Sequence, residues 1–190
     1  MTRLFGFFLL VGVGITTACA QRPASLPDFA TLQYAGSIGV VSAGAGYHLS
    51  EKTSVSVHYG YVPSNRGGEL HIIAAKLLFN TWSFRISERL RFDPLRLGAM
   101  VSYHLGGEFR SRWPSHRYPD GYYWWKTSMR AHIISETSLT LRLPNSRFHS
   151  VTGYAELNTN ELYLISYLKN SHSLSLKDII KVGYGVRLNF

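Results

Sequence analysis

The chain has 190 residues, of which 45% are hydrophobic and only 16% are charged, and it carries a formal net charge of +9. This length fits one domain. No apolar segment beyond the first 20 residues is long enough for a membrane-spanning helix, which excludes a helical membrane protein. The 17 glycines and 12 tyrosines instead indicate apolar residues that are interleaved with small and polar ones.

The first residues have the features of an export signal. Arg3 precedes an apolar run over 4–15, and residues 18–20 form the A-x-A arrangement that signal peptidase requires. We therefore predict a cleaved signal peptide over 1–20 and one mature domain over 21–190.

Cys19 leaves an alternative open, because it could be the acceptor of a lipid. Thr16 stands where such a site usually has a leucine-like residue. If cleavage follows Ala20, the mature chain contains no cysteine, and so no disulfide, thiol nucleophile or thiolate metal site.

Most of the remaining chain alternates between apolar residues and polar or small ones. A period of two indicates a β-strand with two unlike faces. The predicted strands lie around 31–35 and within 41–49, 54–62, 70–79, 95–105, 129–143, 153–168 and 181–190. The strand within 70–79 is mixed on both faces.

The segment 153–168 permits two interpretations. Its alternation is unbroken except at Glu161, which favours one long strand. A hairpin that turns at 158–160 is the alternative.

The count of about eight strands matches the smallest usual closed barrel. Alternation that recurs along a whole chain is typical of transmembrane barrels, since residues that face lipid and residues that face the interior alternate. We predict an all-β fold, an antiparallel transmembrane β-barrel of about eight strands. A soluble secreted sandwich is the alternative.

The inward row of this barrel is charged. It contains Arg96, His104, Arg130, His132, Glu136, Arg142, Glu156 and Arg187, together with Lys76, Lys181, His48 and His58. A barrel this narrow is filled by its own side chains, so we expect an ionic, hydrogen-bonded network, with a small pore as an alternative. Cations outnumber acids, which suggests trapped water or anions. The histidines lack metal-site spacing, so we expect no metal and no cofactor.

At this point the residues resemble a family. The signal peptide, the amphipathic strands and the aromatic C-terminus are similar to the small eight-stranded outer-membrane barrels of Gram-negative bacteria, the OmpA/OmpX type. The resemblance implies that Tyr184, Val186, Leu188 and Phe190 form the signal read by the barrel assembly machinery. It also implies transit with periplasmic chaperones and an outer-membrane location. Export argues against a nucleic-acid partner.

The segment 106–126 combines aromatic and basic residues. It contains Arg110, Arg112, Trp113, Arg117, Tyr118, Tyr122, Tyr123, Trp124, Trp125 and Lys126. One interpretation is an aromatic girdle at the membrane interface. The other is a binding surface for lipopolysaccharide or another external ligand, in which arginines hold phosphates and rings stack on sugars or acyl chains.

An enzyme is the second functional hypothesis, because barrels of this size include lipid A deacylases and palmitoyltransferases. Ser115, His116 and Asp120 share the basic aromatic segment and are weak candidates for a catalytic triad. A second set, His149, Ser150 and Glu161, departs from the deacylase pattern because its histidine and serine are adjacent. Adjacent strand residues face opposite sides. We therefore favour a structural or surface-binding protein.

The barrel itself can be tested by electrophoresis. A closed barrel resists unfolding by detergent at room temperature, so unheated and boiled samples should migrate differently. Identical migration of the two samples would contradict the barrel.

Overall fold

The computed structural model describes residues 26–66, 68–105, 128–144 and 146–190. Its strands are β1 (Phe29–Ala35), β2 (Val41–His48), β3 (Thr53–Val62), β4 (Leu70–Asn80), β5 (Phe84–Arg85), β6 (Leu90–Leu105), β7 (Met129–Arg142), β8 (Ser150–Asn160) and β9 (Lys181–Asn189). The helices are α1 (Glu161–Lys169) and α2 (Leu176–Ile179). Neither helix has the length and apolar character needed to span a membrane, within the described residues.

The strands form a closed antiparallel barrel of eight. Each long strand pairs with its neighbour in the chain, and β4 pairs directly with β6. The barrel closes where β1 pairs with β9 in a ladder from Phe29↔Asn189 to Ala35↔Gly183. The two-residue strand β5 only extends the edge of β6. The prediction of an all-β, eight-stranded antiparallel barrel is therefore confirmed.

The connections fall into two groups at opposite ends of the barrel. We call the end that holds Asp28 and Phe190 the proximal end; it also holds the connections over 49–52, 81–89 and 143–149. The distal end holds the connections over 36–40, 63–69, 106–128 and 161–180. The two longest connections, over 106–128 and 161–180, both lie at the distal end.

Burial alternates along the strands as the sequence pattern predicts. In β4, the side chains of Ile72, Ala74, Lys76 and Leu78 are buried and those between them face outward. The outward row is apolar along most of the wall, with Ser135 and Thr137 as exceptions in β7, and Leu32 and Val57 are 60% and 57% exposed. The barrel therefore has an apolar exterior and a largely polar interior.

The exposed aromatic residues lie toward the two ends of the strands. Tyr34, Tyr59, Tyr103 and Tyr184 face outward in the distal parts of their strands. Tyr47, Phe79, Trp82 and Phe84 face outward at the proximal end. Two aromatic belts that flank an aliphatic band are the exterior of a transmembrane barrel.

The prediction of one long strand through 153–168 is wrong. Strand β8 ends at Asn160 and helix α1 begins at Glu161. The Asn160 side chain caps this helix by accepting a hydrogen bond from the backbone N–H of Tyr163 at 2.8 Å. Glu161, the residue that broke the alternation, accepts a hydrogen bond from the backbone N–H of Ala131 at 3.0 Å. The helix cap and the hydrogen bond from Ala131 to Glu161 fix the point at which the chain leaves the barrel wall.

Two strand boundaries also differ from the predictions. Strand β1 begins at Phe29, two residues before the predicted start. Strand β6 begins at Leu90, because its pairing with β7 continues past an irregularity between Asp93 and Arg96. The extra residue at this bulge shifts the alternation of inward and outward residues by one position. The alternation in the sequence therefore does not reveal the proximal part of the strand.

The turn between β1 and β2 folds over the distal end of the interior. Gly36 and Gly39 have positive φ angles of 82° and 107°, which other residues rarely adopt. The turn fully buries Ile38. Ile38 packs in an apolar cluster with Ile72, Ala74, Leu78, Met100 and Ile134.

Gly60 permits this close approach, since an added Cβ would collide with the backbone oxygen of Ile38. We expect Gly60→Ala to lower the free energy of unfolding by roughly 1–3 kcal/mol, because the turn must move away. Urea unfolding in detergent micelles, followed by tryptophan fluorescence, measures the change. Gly153→Ala is the matched control, since nothing lies within 4 Å of its added Cβ. Equal effects of the two substitutions would contradict the close packing of the β1–β2 turn against Gly60.

Candidate functional site

The charged interior is the first candidate site, and Glu136 lies at its centre. The Glu136 carboxylate accepts hydrogen bonds from Arg96 Nη1 at 2.5 Å and from Arg187 Nη2 at 2.8 Å. Three strands supply these residues, since Arg96 lies on β6, Glu136 on β7 and Arg187 on β9. The Arg187 guanidinium lies 5.3 Å from the ring centre of Phe29 and 5.0 Å from that of Tyr154. All three charged side chains are buried.

A second network joins β1, β4 and β8. Lys76 Nζ donates to Glu156 Oε2 at 2.5 Å and to Gln33 Oε1 at 2.9 Å. The Tyr154 hydroxyl donates to Gln33 Oε1 at 3.1 Å, and the Asn158 amide donates to Glu156 Oε1 at 3.3 Å. A buried charge is tolerated when it is paired and hydrogen-bonded. Both networks meet that condition.

The buried charges balance, which differs from the excess of cations expected from the sequence. Among the described residues, the buried cations are Lys76, Arg96 and Arg187, and the buried acids are Asp93, Glu136 and Glu156. Sequence reasoning missed Asp93 because it placed this residue in a turn. The bulge in β6 directs Asp93 inward, where it accepts hydrogen bonds from Arg91 Nε at 3.1 Å and from Ser83 Oγ at 2.5 Å.

The predicted interior residues do not all lie in the interior. Arg96, His132, Glu136, Glu156 and Arg187 are buried there. His104 and Arg130 are half-buried near the distal end, and Arg130 lies 3.4 Å from the Glu161 carboxylate. Arg142 and Lys181 are exposed at opposite ends of the barrel. The alternation gives the correct side of the wall, but it does not give the depth.

Two serine–histidine pairs occur in the interior. Ser102 Oγ lies 2.9 Å from His132 Nε2, and Ser56 Oγ lies 2.9 Å from His58 Nε2. His132 Nδ1 has no hydrogen-bond partner in the described structure, and His58 Nδ1 lies 3.4 Å from Thr31 Oγ1. In the Ser-His-Asp triad a carboxylate holds the histidine at this position. Neither pair has such a carboxylate partner among the described residues.

The predicted catalytic sets have different outcomes. His149 and Ser150 lie at the proximal end of β8, and Glu161 follows its distal end. A strand of this length separates them by roughly 30 Å at about 3.3 Å per residue, so they cannot form a triad. The other set, Ser115, His116 and Asp120, lies outside the described residues.

The segment predicted to bind a ligand also lies outside the described residues. It comprises Arg110, Arg112, Trp113, Arg117, Tyr118, Tyr122, Tyr123, Trp124, Trp125 and Lys126. Across the described ranges, no group of three or more His, Cys, Asp or Glu side chains could hold a metal ion.

The C-terminal residues predicted to guide assembly lie on or next to β9. Tyr184 and Val186 face outward, and Leu188 and Phe190 are half-buried. The backbone N–H of Phe190 donates to the backbone oxygen of Asp28 at 2.9 Å, and its ring centre lies 5.6 Å from that of Phe148. The last residue therefore extends the ladder that closes the barrel.

Comparisons with known proteins assign no family. No family model matches the chain, and no curated protein matches it. Among solved structures, the chain aligns with one described as "De novo design of transmembrane beta-barrels", at a TM-score of 0.42 and 14% sequence identity. The alignment covers 90% of this chain and 98% of that chain.

The pair of Lys76 and Glu156 offers a test of the interior. Lys76→Met or Glu156→Gln alone leaves a buried charge without its partner, so we expect each to cost about 3–5 kcal/mol of unfolding free energy. The double variant should lose less than the sum of the two, because it leaves neither charge. Urea unfolding in micelles measures all three. Additive losses would show that the two side chains are not coupled.

Proposed function

We propose that this chain is an outer-membrane protein of the small eight-stranded OmpA/OmpX type, with a structural or surface-binding role. It would be exported through a signal peptide over 1–20 with the help of periplasmic chaperones and inserted by the barrel assembly machinery. The observation that carries the proposal is the apolar exterior with its two aromatic belts around a charged interior.

The exterior favours a lipid environment over water. Apolar surface costs about 25 cal/mol for each Å² that it exposes to water, and side chains such as Leu32, Val57 and Ile133 are more than half exposed. Hydrocarbon removes this cost. It also requires that each backbone polar group be paired within the protein, which a closed ladder achieves.

The two ends of the barrel support one orientation. Bacterial barrels have short periplasmic turns and longer extracellular loops. The proximal end, with its connections over 49–52, 81–89 and 143–149, would therefore face the periplasm. The distal end, with the basic aromatic segment and α1, would face outside.

The distal rim supports a ligand that carries phosphates. Lys181 is exposed there, and its Nζ lies 5.2 Å from the ring centre of Tyr163. Lys169 is exposed at the end of α1. The segment 106–126 would add its arginines and aromatic rings to the same end. Lipopolysaccharide, which is phosphorylated and lies in the outer leaflet, is the ligand that we propose.

Lipopolysaccharide binding by the micelle-solubilised protein tests this role. Each charge-assisted contact contributes about 1.5–3 kcal/mol, so Arg110→Ala, Arg112→Ala and Arg117→Ala combined should weaken binding at least about tenfold. Single variants give the matched control: Arg112→Ala should weaken binding clearly, whereas Arg147→Ala, which removes one charge from an exposed proximal turn, should leave the affinity nearly unchanged.

Two results would contradict the proposed role. Equal weakening by Arg112→Ala and Arg147→Ala would show that the binding is only a general attraction of charge. A change in the acyl chains of lipid A that depends on the protein and that Ser115→Ala removes would identify an enzyme instead. Lipid mass spectrometry of the membranes detects that change.

A further inference from the structure

The proximal end of the barrel opens into a large polar cavity. Its volume is about 1,090 Å³, and it lies among the three proximal connections and the adjacent strand ends. On one side, the paired segments of β5 and β6 extend the barrel wall at the proximal end. The distal end differs, because the buried turn at Ile38 covers it. The proximal mouth gives solutes access to the inner residues Arg96 and Arg187, which line this cavity.

Positive charge predominates in this cavity. Seven of its lining residues are lysine or arginine and three are aspartate or glutamate. One of the acids, Asp93, already pairs with Arg91 at 3.1 Å. The remaining acids, Glu51 and Glu88, lie on exposed turns, where water screens them. The cavity is therefore electrostatically suited to an anion.

Three arginines in the cavity wall have guanidinium groups without a carboxylate partner among the described residues. They are Arg85, Arg89 and Arg142, and all three are exposed. Arg89 and Arg142 are neighbours. The backbone N–H of Arg142 donates to the backbone oxygen of Arg89 at 2.8 Å, which holds the two residues side by side. The same pair lines a second opening of about 550 Å³ between the turns over 86–89 and 143–149. A ligand can therefore reach both guanidinium groups from the cavity or from this opening.

The inner end of the cavity supplies a buried donor. Arg187 lines the cavity and is only 6% exposed. Its Nη2 is bonded to Glu136, but its Nε has no hydrogen-bond partner in the described structure. A buried donor without a partner is destabilising, so an acceptor at this end would be stabilising. The cavity therefore has arginines without a carboxylate partner at its rim and an Nε donor without a hydrogen-bond partner, that of Arg187, at its inner end.

We infer that this proximal cavity binds an anion that carries several phosphate groups. Arginine forks bind phosphate oxygens bidentately, which suits Arg89 and Arg142. The cavity volume is that of a small-molecule site and exceeds the space needed by a single phosphate. The phosphates can come from a soluble polyphosphate or from the headgroups of anionic phospholipids that enter through the second opening and supply one phosphate each. This inference does not depend on the distal surface or on lipopolysaccharide.

Binding of tripolyphosphate to the full chain in zwitterionic micelles tests the inference, with isothermal titration calorimetry as the measurement. Arg89→Ala and Arg142→Ala combined should weaken binding at least about tenfold. Arg142→Lys keeps the charge but loses the fork, so a smaller loss of about threefold is expected. Heat-dependent migration in electrophoresis shows whether each variant is folded.

The control and the lipid measurements decide the outcome. Arg66→Ala and Arg147→Ala combined remove the same charge from exposed positions outside the cavity, and should leave the affinity nearly unchanged. Wild-type protein that does not bind, or a control that weakens binding as much as the cavity variant, overturns the inference. Weaker tripolyphosphate binding in phosphatidylglycerol nanodiscs than in phosphatidylcholine nanodiscs indicates that a lipid headgroup occupies the cavity. Equal binding in both indicates a soluble anion.

Discussion

The pairing of β1 with β9 is the constraint on which the rest of this structure depends. An open sheet of these strands would leave the backbone groups of its two edge strands without partners, and its apolar face would have to be buried against a second layer. Closure pairs the first strand with the last from Phe29↔Asn189 to Ala35↔Gly183. The wall then has no free edge, so its outer face can meet hydrocarbon directly. The apolar exterior and the polar interior both follow from this closure.

Closure also decides how the interior must be composed. Eight strands leave space for side chains and little else, so each charge that points inward must find its partner there. Lys76 finds Glu156, and Glu136 holds both Arg96 and Arg187. Apolar residues from β4, β6 and β7 fill the remaining distal space around Ile38. A filled interior with balanced charge favours a structural barrel over a small pore.

The two mouths of the barrel differ because their connections differ. At the distal end, a short turn with two positive-φ glycines folds inward and buries an isoleucine. At the proximal end, the connection over 81–89 continues outward as an extra two-residue strand and leaves a basic cavity behind it. The distal segment over 161–180 forms helices that lie off the wall. The proximal cavity therefore exposes the inner residues Arg96 and Arg187 on that side of the barrel.

The sequence by itself determined the class of fold and the side of the wall on which most residues lie, because a period of two is a local property of the backbone. It placed Glu136, Glu156, Arg96 and Arg187 on the inward row. Only the tertiary structure decided how deep in the barrel each side chain lies and which residues pair with one another. Asp93 joins the buried charges through a bulge, Arg142 lies at an exposed mouth, and Asn160 ends a strand that the alternation continues. These outcomes depend on which strands become neighbours and on a cap or bulge that breaks parity, and neither is encoded in the periodicity of a single segment.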